Sequence, residues 1–322
     1  MHPAAAQAFQ AFHLAQAAQT VTHPHNHLSF FQAIVIGIFQ GIAELFPVSS
    51  LGHTVLIPKL FGWNNLVKSQ AASESFYLAF IVGLHVANAL ALLAFFWRDW
   101  VRIVKAFFVT LRTRRVETST ERLAWLIIVA SIPTGVLGIA LEHTLRTQLA
   151  KPLSAAIFLM VNGGILYGGE RLRRRSAVRE LAAREGTTPE GSRRLDTLEY
   201  REAGIVGVFQ TLALIAGISR DGIVMVAGLI RGLDNEDAAR FAFLLATPII
   251  LAAGVYKVPD LLGHNGDGVR GQVVVGSIIT FFVSLLSVRF LLRYFQRGNL
   301  IPFALYCVAF GAFMSIFVLA GA

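Results

Sequence analysis

Residues 37–53 read GIFQGIAELFPVSSLGH, and residues 207–223 read GVFQTLALIAGISRDGI. At a constant offset of 170 the two stretches share Gly37/Gly207, Phe39/Phe209, Gln40/Gln210, Ala43/Ala213, Ser49/Ser219 and Gly52/Gly222, with Ile, Val and Leu exchanged between. Six identities in seventeen gap-free positions exceed what composition gives, so the chain carries a duplicated unit. Each copy starts as an apolar helical run and then breaks on Gly, Ser and charged or titratable residues. The broken stretches, about 30–60 and 204–232, therefore do not read as plain spanning helices.

Six further apolar runs surround them, at about 76–97, 123–141, 153–170, 241–257, 272–288 and 300–320. Each is near the ~20 residues that a helix needs to cross a hydrocarbon core of ~30 Å. Each unit then holds one broken segment followed by three spans. Three is odd, so the second unit enters the membrane from the side opposite to the first. That is an inverted-topology repeat, which places a site near the midplane where two broken helices meet. The expected fold is an all-α polytopic membrane protein with six transmembrane helices and two re-entrant helical hairpins. Its parts are an N-terminal tail (1–29), repeat 1 (30–170), a basic cytoplasmic loop (171–203) and repeat 2 (204–322).

Composition agrees. The 322 residues are 55% hydrophobic and 15% charged, against about 25% charged in soluble domains. The net charge of +9 is concentrated in a few segments. Seven Lys and Arg lie in 98–122, nine in 171–203, and the rest of the clustered set is Arg231, Arg240, Arg289, Arg293 and Arg297, together 21 of 28. The positive-inside rule puts those segments in the cytoplasm and both termini outside. The basic balance is thus an orientation signal with contact to membrane lipids, and nucleic acid is not an expected partner. The single cysteine, Cys307, lies in an apolar run and excludes a disulfide framework. The tail, with His23, His25 and His27, carries no charged n-region leading to a cleavage site and reads as disordered rather than as a secretory signal.

The chemistry-bearing residues collect at the two breaks. Gln40 and Glu44 are four apart and share a helix face. Pro47 ends that helix, and Ser49, Ser50, Gly52 and His53 follow. The second break offers Ser219, Arg220, Asp221 and Gly222. Ionisable groups at membrane depth are costly unless paired or used. One reading makes Glu44–Arg220 and Asp221–His53 ion pairs that only hold the hairpins together. The other makes an anion site: Gly-flanked helix N-termini and Arg220 for phosphate oxygens, Ser hydroxyls as further donors, and His53 as nucleophile or acid–base group. Glu44 either orients His53 or, with Gln40, ligates a hard divalent cation. These parts suit phosphate-group hydrolysis or transport. His85 and Asn88 read as interhelical hydrogen-bond formers, Glu170 as a charge at the cytoplasmic edge, Trp97 and Trp100 as belt residues, and Pro133 and Pro248 as mid-span kinks.

QGIAE running into LFPVSSLGH, with GISRDG in the second half, resembles the bacterial undecaprenyl-diphosphate phosphatase family of the bacitracin-resistance type. The resemblance rests on an (E/Q)xxxE motif leading into PVSSxGH and on a PGxSRSG motif about 170 residues later, and it covers roughly 30–320. It implies a phosphatase of the bacterial cytoplasmic membrane that hydrolyses a C55 polyprenyl diphosphate to the monophosphate and so recycles the carrier lipid for cell-wall synthesis. Carried over, Gln40 and Glu44 take the (E/Q)xxxE positions, Ser49, Ser50 and His53 the SSxGH positions, and Ser219 and Arg220 the SR pair. The catalytic set is then Glu44, Ser50, His53 and Arg220. The substrate-binding set is Gln40, Ser49, Ser219, Gly222 and Asp221, with Glu44 as the ligand of a divalent cation (Mg or Ca). The nucleophile is Ser50 activated by His53, or His53 itself. Two positions depart: Ala216 stands for the Pro and Asp221 for the second Ser of PGxSRSG, and a carboxylate beside a diphosphate has to be paired, protonated or metal-bound. The partners are the lipid substrate, membrane lipids and, as a further expectation, a second copy in a homodimer. The rival reading is a transporter or flippase of an isoprenoid phosphate or another anion, built on the same repeats without hydrolysis.

Overall fold

The structure is a computed structural model that describes residues 28–70, 76–149, 151–183, 198–263 and 268–321. The tail, with its three histidines, and much of the 171–203 segment lie outside the described residues. Among the described residues all regular structure is helical.

The first unit begins with α1 (Phe30–Ala43), α2 (Ser50–Leu60) and the short α3 (Asn64–Gln70), followed by α4 (Phe76–Phe95), α5 (Trp97–Thr113), α6 (Ser119–Leu149) and α7 (Pro152–Ala183). The second has α8 (Tyr200–Gln210), a 3₁₀ turn at Thr211–Leu214, α9 (Arg220–Ile230), α10 (Asn235–Leu262), α11 (Arg270–Phe295) and α12 (Ile301–Leu319). Six helices are long and apolar enough to cross a membrane: α4, α6, α7, α10, α11 and α12. They coincide with the six apolar runs. The helix α1, at about 1.5 Å per residue, is about 21 Å long, and α2, α8 and α9 are shorter still. None reaches the ~30 Å of a hydrocarbon core alone. Both broken stretches are thus helix–break–helix pairs.

Local chemistry sets these ends. Ser29 caps α1 with a capping box: its hydroxyl accepts from the Gln32 N–H at 3.1 Å, and Gln32 Oε1 accepts from the Ser29 N–H at 2.9 Å. Ser49 caps α2 by accepting from the Gly52 N–H at 3.2 Å, and Ser219 caps α9 by accepting from the Gly222 N–H at 3.1 Å. The same serine cap thus stands at both breaks.

The charged segment after α4 holds the amphipathic helix α5 over 97–113, which leaves Trp97 exposed. The basic segment 171–203 starts as a continuation of α7 through Ala183. Pro133 lies inside α6 and Pro248 inside α10. Glu170, expected as a charge at the cytoplasmic edge, is fully buried and accepts from Arg173 at 2.7 Å and Arg174 at 3.1 Å.

The units pack crosswise. Helix α1 lies along α11 of the other unit, and α8 lies along α6; α4 meets α10, and α7 meets α12. The Thr280 hydroxyl donates to the Gly37 carbonyl at 2.9 Å, and the Thr134 hydroxyl donates to the Gly207 carbonyl at 3.0 Å. A Cβ at Gly37 would stand 2.8 Å from the Gly276 carbonyl oxygen, and one at Gly207 would strike the Ala130 carbonyl oxygen. Thr134/Thr280 and Ala130/Gly276 share an offset of 146, just as Gly37/Gly207 share 170.

Gly37→Ala and Gly207→Ala are each expected to destabilise the protein by about 1–3 kcal/mol, the usual cost of overpacking a close contact. Gly135→Ala, whose Cβ would meet nothing within 4 Å, is the neutral control, read by thermal unfolding in detergent.

Candidate active site

The two breaks meet. The Ser49 hydroxyl also accepts from the Gly217 N–H at 3.2 Å, across 168 residues of chain. A Cβ on Gly52 would lie 3.0 Å from Gly217 Cα, and Gly217 itself has φ +106°, so both positions call for glycine. Asn162, buried on α7, joins the breaks from the side. Its Nδ2 donates to the Pro47 carbonyl at 2.9 Å, and its Oδ1 accepts from the Ser219 N–H at 2.9 Å. Every one of these bonds satisfies backbone that helix geometry leaves open.

Glu44 is the centre of the cluster. It follows α1 directly, is 8% exposed, and is surrounded by donors. Arg220 Nη2 donates to Oε1 at 2.7 Å. On Oε2 converge Gln40 Nε2 at 3.0 Å, the Ser50 hydroxyl and His85 Nε2 at 3.3 Å. Arg220 also donates from Nε to Asp221 Oδ1 at 3.2 Å. Carboxylate, guanidinium and carboxylate thus form a row, and the Asp221 charge is paired, as a carboxylate beside an anion site requires.

His53 stands apart from that row. Its Nδ1 lies 2.8 Å from the Ser49 carbonyl oxygen and its Nε2 lies 2.7 Å from the Tyr306 hydroxyl. A carbonyl only accepts, so in the neutral ring Nδ1 carries the hydrogen and Nε2 accepts from Tyr306. The expected Asp221–His53 pair is absent, since Asp221 turns to Arg220. Glu44 orients Ser50 rather than His53. Ser50 donates to Glu44, not to His53, so the Ser50–His53 activation expected from the motif is not the arrangement found. A narrow cleft of about 190 Å³ beside these groups is lined by Gln40, Ser50, His53 and Thr54 together with the apolar Ile36, Phe39 and Ile57.

Of the expected residues, Gln40, Glu44, Ser50, Arg220 and Asp221 come together as one network, with His53 at the cleft edge. Ser49, Ser219 and Gly222 serve the helix caps. Two contributors, Asn162 and Tyr306, were not expected from the sequence. His85, expected to hydrogen-bond between helices, does so, with Glu44 as its partner. A polar side chain in a span was the available signal for His85 and Asn162. Tyr306 gave none, because an aromatic in a span ordinarily packs or marks an interface.

The profile of the family described as Bacitracin resistance protein BacA matches residues 33–313. The chain is 54% identical to undecaprenyl-diphosphatase 2 of Frankia alni, over 90% of this chain and 98% of that protein. It is 57% identical to undecaprenyl-diphosphatase of Mycolicibacterium paratuberculosis, over 88% of this chain and 96% of that one. Undecaprenyl-diphosphatase of Acidiphilium cryptum is 42% identical, over 90% and 98% respectively.

Arg220→Met leaves Glu44 and Asp221 without their shared cation and is expected to cost about 3–5 kcal/mol, the scale for stripping one partner from a buried pair. Adding Asp221→Asn should return part of that loss in a denaturation series in detergent. Full additivity of the two changes would show that Arg220 and Asp221 do not interact.

Proposed function

The chain belongs to the bacitracin resistance protein family, and on that premise we propose that it is a multi-pass membrane phosphatase of the bacterial cytoplasmic membrane. Its substrate is undecaprenyl diphosphate, and its products are the monophosphate and inorganic phosphate, so that the carrier lipid returns to cell-wall synthesis. The observation that supports this best is the Glu44 cluster: a serine hydroxyl on a carboxylate, with a guanidinium alongside, at the edge of a cleft with one apolar wall.

In the proposed reaction Arg220 clamps the terminal phosphate, for which planar bidentate donors are well suited. Ser50 is the nucleophile. Its oxygen attacks the terminal phosphorus, its proton passes to Glu44, and the bridging P–O bond breaks as the isoprenyl monophosphate leaves. Water then cleaves the phosphoserine and releases inorganic phosphate. The Ser50–Glu44 hydrogen bond favours Ser50 over His53, whose two ring nitrogens are both engaged. Gln40 and His85 fix the carboxylate, and His53 lines the cleft as an acid–base group. The Ile36, Phe39 and Ile57 wall receives the first isoprenoid units.

A divalent cation, Mg or Ca, belongs to the same proposal. Among the described residues no three His, Cys, Asp or Glu side chains form a metal cluster. Mg²⁺ commonly binds through one or two carboxylates together with substrate phosphates. The buried oxygens Gln40 Oε1 and Asp221 Oδ2, which have no hydrogen-bond partner, fit that demand beside Glu44. The cation would supply charge neutralisation of the diphosphate.

The proposed topology is an inverted repeat whose broken stretches are re-entrant hairpins, the first entering from outside and the second from the cytoplasm. Basic loops then face the cytoplasm and both termini face outside. The crosswise packing of α1 on α11 and of α8 on α6 supports it, because a two-fold axis in the membrane plane generates that exchange. A homodimer belongs to the same set of expectations. No observation favours transport without hydrolysis.

Purified protein in detergent is expected to release phosphate from a C55 isoprenyl diphosphate. Ser50→Ala, Glu44→Gln and Arg220→Ala should each lower kcat by about 10²–10⁴-fold, the usual range for a positioned catalytic group. Silence from the wild type would sink the phosphatase reading, and an active Ser50→Ala would remove the assigned nucleophile. Asp221→Ser tests the departure from the family motif: with the cation partner gone, the proposal expects a raised requirement for added Mg²⁺.

A further inference from the structure

We propose that Tyr306 is a positioning residue of this active site, acting through His53. Tyr306 lies on α12, in the other unit and 253 residues along the chain, yet its hydroxyl is 2.7 Å from His53 Nε2. The two rings are nearly parallel, 9° apart with centroids at 5.8 Å, and Phe310 stacks on His53 at 5.4 Å and on Tyr306 at 5.6 Å. His53 is 3% exposed, whereas Tyr306 is 41% exposed. The Ser49 carbonyl takes the Nδ1 hydrogen and the Tyr306 hydroxyl fills the Nε2 lone pair, so one proton arrangement of the neutral ring is selected. Ser49 is also the residue whose hydroxyl caps α2 and bonds Gly217, so the orientation of His53 is tied to the joint between the breaks.

The lock has a chemical consequence. A free imidazole nitrogen at the edge of the cleft would compete with Ser50 for the phosphorus or for the Ser50 proton. The Tyr306 hydroxyl caps that nitrogen and keeps it available for proton exchange through the phenol. The aromatic stack sets the ring plane, and the hydroxyl sets the tautomer. Tyr306→Phe separates the two, since it keeps the stack and removes only the oxygen.

The role in turnover rests on the phosphatase reading, but the lock itself does not, and two measurements keep them apart. The first is carbethoxylation of His53 by diethyl pyrocarbonate in full-length protein, followed by peptide mass spectrometry with no substrate present. Tyr306→Phe should raise the modification rate at His53 several-fold while leaving that at His85 unchanged; equal rates in both proteins overturn the lock. The second is kinetics on the C55 diphosphate. Tyr306→Phe should lower kcat by about ten- to hundredfold, the scale on which misplacing a reacting group costs rate, with KM within twofold. An unchanged kcat, or a change confined to KM, overturns the positioning role. If the Phe variant fails to fold, difluorotyrosine at 306 replaces it. Its more acidic phenol should move the alkaline limb of the kcat profile to lower pH, and an unmoved limb counts against the proposal. A wild type that turns over nothing defeats the phosphatase reading alone, and the labelling result still decides the lock.

Discussion

A buried backbone that stops being helical leaves N–H and C=O groups that need partners. The two breaks in this chain meet that constraint by serving each other. Ser49 caps its own helix and at the same time accepts from Gly217 in the other copy, while Asn162 accepts from Ser219 and donates to the Pro47 carbonyl. The glycines at 52 and 217 let the two turns approach to backbone contact. Neither break is complete alone, so the stability of each depends on the other being folded.

The charges follow from the same juxtaposition. Once two turns touch, side chains at their edges share one small volume, and an isolated charge there is expensive. Glu44 is offset by Arg220 and contacted by His85, while Asp221 is held by Arg220 from the other side. Arg220 is thus shared between two carboxylates, one from each break.

Much of this was legible from two quoted stretches. The offset of 170 located both breaks, the apolar runs gave all six long helices, and the Glu44–Arg220 pair followed from cost at membrane depth. Partner choice inside the cluster was not legible. Glu44 and His53 are close in sequence, but Ser50 starts the helix that carries His53, and the intervening turn sends the hydroxyl to the carboxylate and the imidazole to α12. Tyr306 and His85 come from spans whose rotation no local pattern specifies. The helix α5 was hidden because its charge density marked it as a loop, while its apolar residues at 101, 104, 108 and 111 follow a helical spacing.

The two sequence copies are matched in their clamps and caps but unlike at the site, which is one-sided. Glu44, Ser50 and His53 correspond, at the offset of 170, to Leu214, Arg220 and Ile223. The first copy therefore supplies Glu44, the serine hydroxyl and the imidazole, and the second supplies the guanidinium and the other carboxylate, Asp221. Gln40 and Gln210 are identical residues with different work: one Nε2 steadies Glu44, and the other donates to Thr134 Oγ1 at 2.7 Å and reinforces the Thr134–Gly207 clamp. A frame with matching clamps at Gly37 and Gly207 keeps the two breaks in register, which frees the edge positions to differ. Two identical turns would instead place like charges face to face.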